Sequence, residues 1–138
     1  MFKVLLVACD GSDSASKAFD YALDMAKKFD ARVFGLSVIH VPDFGGQVEA
    51  AALVESAQTH YQAMADQLAL RASEAGVPFQ FETKAGHPAE RIVACAQARG
   101  ADLIVMGHRG KSLVERWLTG STTKQVMGYA HCPVLIVR

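Results

Sequence analysis

The sequence predicts an α/β domain in which one mostly parallel sheet of five strands is covered by helices on both faces, with residues 1–138 forming a single unit. Three observations lead there. Short apolar runs of β type alternate along the chain with segments of helical period. The turns between them are short and rich in Gly, Pro, Asp and Ser, with no internal repeat, low-complexity tract or linker. The 138 residues are 51% hydrophobic and 20% charged, which suits one core and excludes a disordered chain.

Val4 to Cys9 is a continuous apolar run, as expected of a strand buried on both faces. Asp10-Gly11-Ser12-Asp13-Ser14 follows as a loop, and Ser12, Asp13 or Ser14 can cap the next helix. In that helix Ala15, Ala18, Phe19, Ala22, Leu23, Met25 and Ala26 recur at helical spacing. It ends near Lys27-Lys28, whose charges suit the negative end of the helix dipole. Residues 31–41 form the second strand. After a loop at 42–46, a long Ala-rich helix runs from about Glu49 to Ala75, with Leu53, Ala57, Tyr61, Met64, Leu68 and Ala72 as its expected inward face. Gly76 stops it. Residues 79–84 alternate apolar and polar, the mark of a half-exposed edge strand. A helix spans roughly Ala89 to Ala98 and ends at Gly100. Residues 102–106 are the fourth strand, residues 107–119 are less regular, Gly120-Ser121 opens the last helix to about Ala130, and 133–137 is the fifth strand. Parallel strands need right-handed crossovers, which the helices supply.

Composition narrows the function. Fourteen basic residues balance fourteen acidic ones, whereas a protein that coats nucleic acid is usually strongly basic. No apolar run approaches the ~18 residues that span a bilayer, so neither nucleic-acid coating nor membrane insertion is expected. The opening run is too short for a signal peptide and is interrupted by Asp10. Three distant cysteines, Cys9, Cys95 and Cys132, form no disulfide framework, which favours a reducing, cytoplasmic setting.

Ligands of open α/β sheets sit beyond the carboxyl ends of the strands, near the point where strand order reverses. Asp10, His40 and Gly107 occupy such ends. The segment from Gly107 carries a Gly-x2-Gly spacing, then nine residues, then Gly120-Ser121. A glycine turn leaving a strand can present a nest of N–H groups to an anion, and Gly120-Ser121-Thr122 at a helix start adds free N–H groups, a favourable dipole and hydroxyl donors. Between Gly107 and Arg138 five basic residues face a single acidic one. This excess matches a polyphosphate. The loop is not a Walker A motif, because two residues rather than four separate its first glycines.

The run Val4-Leu5-Leu6-Val7-Ala8-Cys9-Asp10-Gly11-Ser12, the Gly107-x2-Gly110-x9-Gly120-Ser121 pattern and the closing Cys132-Pro133-Val134-Leu135-Ile136-Val137 resemble the universal stress protein family over essentially the whole chain. The glycine pattern resembles that of the family's ATP-binding branch. The resemblance implies a sheet in the order 3-2-1-4-5. It places Ala8, Cys9 and Asp10 along an adenosine pocket, with Asp10 near the adenine or ribose, and Val38 against the adenine. Met106 and Gly107 fall at the ribose and first phosphate, Arg109 and Gly110 in the phosphate loop, and Gly120, Ser121, Thr122 and Thr123 at the helix start that holds the phosphates. Arg109 could bind phosphate oxygens through two hydrogen bonds. The implied ligand is ATP, with Mg²⁺ or Mn²⁺ as optional company.

The expected role is an ATP-binding stress-response regulator, with the nucleotide acting as a ligand switch. A non-nucleotide interaction module and a slow ATPase are the alternatives. Efficient hydrolysis is not expected, since no general base stands beside the phosphate loop; at most, slow ATP hydrolysis or phosphorylation at Ser121 or Thr122 would follow. A receiver domain is disfavoured because the third strand ends Thr83-Lys84-Ala85, with no Asp. The five histidines show no short metal-ligand spacing, and in a strand His131 and Cys132 would point to opposite faces. Trp117 reads as a lid or packing residue. In the implied order the wholly apolar fifth strand lies at the sheet edge, where pairing with its twin across a two-fold axis would cover it. The family typically dimerises this way, so a homodimer through 133–137 is expected.

Overall fold

The computed structural model describes residues 1–40, 46–108 and 120–138, with 120 and 121 described by backbone alone. The elements are β1 (Val4–Ala8), α1 (Asp13–Phe29), β2 (Arg32–Ile39), α2 (Gln47–Ala75), β3 (Phe79–Ala85), α3 (Pro88–Arg99), β4 (Leu103–Gly107), α4 (Gly120–Tyr129) and β5 (Val134–Val137). The strands form one parallel sheet in the order β3-β2-β1-β4-β5. Strand order reverses between β1 and β4, so their carboxyl ends flank the switch point.

Alternation along each central strand builds two cores. Leu5 and Val7 of β1, with Leu103 and Val105 of β4, face α1 and α2, where they meet Ala18, Phe19, Ala22, Leu68 and Ala72. Leu6, Ala8, Ile104 and Met106 face the other way, toward Ala89 and Ile92 of α3 and Val126 of α4. Phe19 is fully buried and meets Phe79 edge to face, with ring centroids 5.4 Å apart.

Caps fix the helix boundaries. Ser12 accepts a hydrogen bond from the Ala15 amide and so caps α1, and Lys27 and Lys28 lie in its last turn. Gly76 and Gly100 close α2 and α3.

Two readings of the sequence need correction. The expected inward face of α2 holds only in its second half: Ala65, Leu68 and Ala72 are buried, Met64 packs partly against the core, Ala57 and Tyr61 are half-buried, and Leu53 is exposed. Length is the reason. A helix of 29 residues extends ~43 Å at about 1.5 Å per residue, whereas a strand of eight spans ~26 Å, so α2 overshoots the sheet it covers. His131 and Cys132 precede β5 in a bend rather than lying in a strand, so strand alternation does not separate them.

Candidate functional site

The chain leaves β1 at Ala8 but remains tied to β2. The Cys9 amide donates to the Leu36 carbonyl at 2.8 Å, and the buried Ser37 hydroxyl donates to the Cys9 carbonyl. Asp10 then sets the turn: a carboxylate oxygen accepts from the Ser12 amide at 2.9 Å, Gly11 takes φ 84°, and Ser12 Oγ accepts from the Ala15 amide at 3.1 Å. The positive φ at Gly11 is one that L side chains avoid. A carboxylate and a helix start are thereby fixed at the end of β1. Asp10 is buried, at 4% exposure.

On the other side of the switch point β4 ends in Gly107. A Cβ there would collide with Ser14 Oγ and lie 2.6 Å from the Ser14 carbonyl carbon and 2.8 Å from the Ala15 amide nitrogen. Glycine at 107 is therefore a packing requirement that lets the first turn of α1 close on β4. His108 extends the ladder, its amide donating to the Val137 carbonyl at 2.9 Å.

Ala8, Val38 and Met106 are buried together in the cluster that also takes Val126 from α4. They give the carboxyl end of the sheet an apolar floor. Thr122 and Thr123, in the first turn of α4, are both buried, and Thr123 Oγ1 has no hydrogen-bond partner among the described residues. A buried hydroxyl without a partner costs about 1–3 kcal/mol, so it suits a polar ligand. Burial, reinforced by Asp10, pushes the Cys9 thiol up to about 12. It stays protonated at neutral pH and acts as a small apolar group.

Among the expected site residues, Ala8, Val38 and Met106 share one cluster, Cys9 and Asp10 continue from β1, Gly107 abuts the start of α1, and Thr122 and Thr123 lie on the helix that contributes Val126. Arg109, Gly110 and Trp117 lie outside the described residues, and Gly120 and Ser121 are placed as the first helical residues of α4. Sequence reading missed Ser37, whose signal was a lone hydroxyl inside the apolar run of β2, and the approach of His40 to His87, with ring centroids 5.9 Å apart. Chemically, the rim combines an apolar floor, a carboxylate, a capped helix start and a helix N-terminus with buried hydroxyls. This combination suits a flat apolar heterocycle joined to an anionic group.

The universal stress protein family model matches residues 1–138. The chain belongs to the universal stress protein family. A universal stress protein of Methanocaldococcus jannaschii is 37% identical over 141 residues, spanning 100% of this chain and 83% of that protein. The universal stress protein UspA from Lactobacillus plantarum superposes with a TM-score of 0.83 at 27% identity, over 99% of this chain and 98% of its own. A universal stress protein solved in complex with cAMP superposes with a TM-score of 0.76 at 26% identity, over 99% of this chain and 97% of its own. The strand order implied by the family resemblance is the one observed. Among the described residues no helix is long and apolar enough to cross a membrane.

Proposed function

We propose that the carboxyl end of the sheet binds an adenine nucleotide, ATP, and that the nucleotide acts as a ligand switch in a cytoplasmic stress-response homodimer. The observation that carries this reading is the convergence at the β1/β4 switch point: an apolar floor from three strands, the Asp10 carboxylate, and a helix start whose Thr123 hydroxyl has no partner among the described residues. The cAMP complex of a family member supports adenine as the base.

In this reading adenine packs on Val38 beside Ala8, and Met106 borders the ribose and first phosphate. Cys9 supplies backbone and volume, and Asp10 accepts from a ribose hydroxyl. Gly107, whose Cβ side is closed by Ser14 and Ala15, borders the ribose and first phosphate with its backbone. Arg109, Gly110, Gly120, Ser121, Thr122 and Thr123 receive the phosphates, with helix amides as the main donors. Among the described residues no three His, Cys, Asp or Glu side chains converge, so Mg²⁺ or Mn²⁺ travelling with ATP would be held chiefly by phosphate oxygens and water. The three cysteines are free thiols, in keeping with a reducing compartment. The ligand shifts the protein only by its differential affinity for two states.

The test is to denature the purified protein, identify released nucleotide by ion-exchange chromatography, and titrate the stripped protein with ATP, AMP and cAMP by calorimetry beside a Gly110→Val variant. Binding lost in the variant is the expected result. No binding at millimolar nucleotide would overturn the reading in favour of an interaction module. Multiple turnover abolished by Asp10→Asn or Ser121→Ala would replace the switch with an enzyme.

A further inference from the structure

A second concave site lies away from the switch point, on the α3 side of the edge strand β3. It is a cavity of ≈ 290 Å³ between β3 and α3. Two features build it. Phe79 and Phe81 pack against the α1/α2 core, so the alternate residues Glu82 and Lys84 turn to the α3 face. On α3, Ala94, Cys95 and Ala98 line the hollow with short side chains, and Arg91 and Arg99 bound it one turn away at either end. Helical spacing of three and four puts all five on one stripe.

The charges are unbalanced. Lys84, Arg91 and Arg99 share the cavity wall with one carboxylate, Glu82. Glu82 is held by Arg99 at 3.2 Å and by the Cys95 thiol at 3.0 Å, whereas Lys84 stands 3.9 Å from it. Arg91 uses its Nε on the Ala85 carbonyl at 2.9 Å, and among the described residues its outer guanidinium nitrogens have no further partner. In a chain of zero net charge, this hollow carries two surplus positive charges. Keeping an edge strand from pairing accounts for a lysine on β3. Arg99, besides pairing with Glu82, stacks over the Phe34 ring at 5.0 Å; neither role accounts for Arg91 or for the short residues between the two arginines.

We infer that the β3/α3 cavity is a binding site for a compact dianion, either a phosphate monoester group or a dicarboxylate, held by Lys84, Arg91 and Arg99. Arg91 and Arg99 supply planar donor forks that match such oxygens, Lys84 supplies a point charge, and Glu82 acts as the internal competitor for Arg99. This assignment does not depend on the nucleotide reading, because the two sites share no residue.

The experiment is an amide NMR titration of the full-length protein with inorganic phosphate and, separately, with succinate, at constant ionic strength and in saturating AMP. Saturable shifts confined to residues 82–85 and 91–99 are expected at millimolar concentration. Removing one charge near a dianion should change affinity about three- to tenfold. Lys84→Gln and Arg91→Gln should each weaken binding by that factor, and Glu82→Gln should tighten it. Three results would overturn the assignment: no saturable shift for either anion, shifts only at 107–108 and 120–123, or an affinity indifferent to all three variants. Succinate binding without phosphate, or the reverse, decides between the two sources.

Discussion

The middle of the sheet and its two margins follow different rules. β1 and β4 are buried almost end to end, and their carboxyl ends are fixed by turns, caps and one glycine contact. β3 and β5 are largely half-exposed or exposed, yet they differ from each other. β3 alternates and carries Glu82 and Lys84. β5 is Val134-Leu135-Ile136-Val137, without a charge. The middle is specified by packing within the chain, which admits little change. The margins are built in opposite ways: β3 carries charges that discourage a neighbouring strand, whereas β5 carries none.

The largest effect is expected in the middle. Gly107→Ala puts a methyl group within 3 Å of the Ser14 backbone and the Ala15 amide nitrogen. Neither is a flexible chain end, so α1 must shift. Overpacking of this kind costs about 1–3 kcal/mol, and the displaced turn also carries Asp10 and Ser12. Urea denaturation should show the loss, and nucleotide affinity should fall with it. A variant as stable as the parent would mean that α1 is held less firmly against β4 than the contacts indicate.

The next effect concerns β5. The carbonyls of Pro133 and Val137 accept from Ile104 and His108 of β4. Peptide groups alternate sides along a strand, so those of Val134 and Ile136 face the open margin. Ile136→Pro therefore removes a donor that β4 does not use. If β5 pairs with its twin, the dimer should weaken about tenfold or more while the circular dichroism of the fold persists. Sedimentation at several concentrations reads this directly. A parent protein that is monomeric at high concentration, or a variant that still dimerises, would place association elsewhere. The complementary change, Glu82→Val with Lys84→Val, should give β3 the invitation it lacks and produce larger assemblies at high concentration.

How much was legible in the sequence follows the same division. The central strands were legible because burial on both faces writes a continuous apolar run, and only their limits moved, with Cys9 outside β1 and Gly107 inside β4. The Ser12 cap was among the expected positions because local chemistry decides it. The inward face of α2 was only half legible. Alanine occurs on every side of that helix, at 50, 51, 52, 57, 63, 65, 69, 72 and 75, so periodicity could not show where the sheet beneath it ends. The packing role of Gly107 was hidden as well, since nothing local distinguishes a glycine that accommodates a ligand from one that accommodates a helix. The β3/α3 cavity was not legible at all. It exists only because a two-residue period on β3 meets a period of 3.6 on α3 across the sheet margin.

The smallest effect expected is one of pH at that margin. The Cys95 thiol hydrogen bond, ahead of the Arg99 guanidinium, holds the Glu82 carboxyl below its ordinary value of 4.5. A carboxylate whose folded value is lowered stabilises the fold above the unfolded value, and that contribution disappears as pH falls through the folded value. The loss therefore lies below pH 4.5. Because the pair is part-exposed, Glu82→Gln should cost about 1 kcal/mol at pH 7. The difference between parent and variant should shrink as the pH is lowered from 5 toward 3. Urea midpoints at pH 7, 5 and 3.5 for both proteins provide the comparison. A gap that stayed constant across this range would mean that Glu82 acts through shape rather than charge.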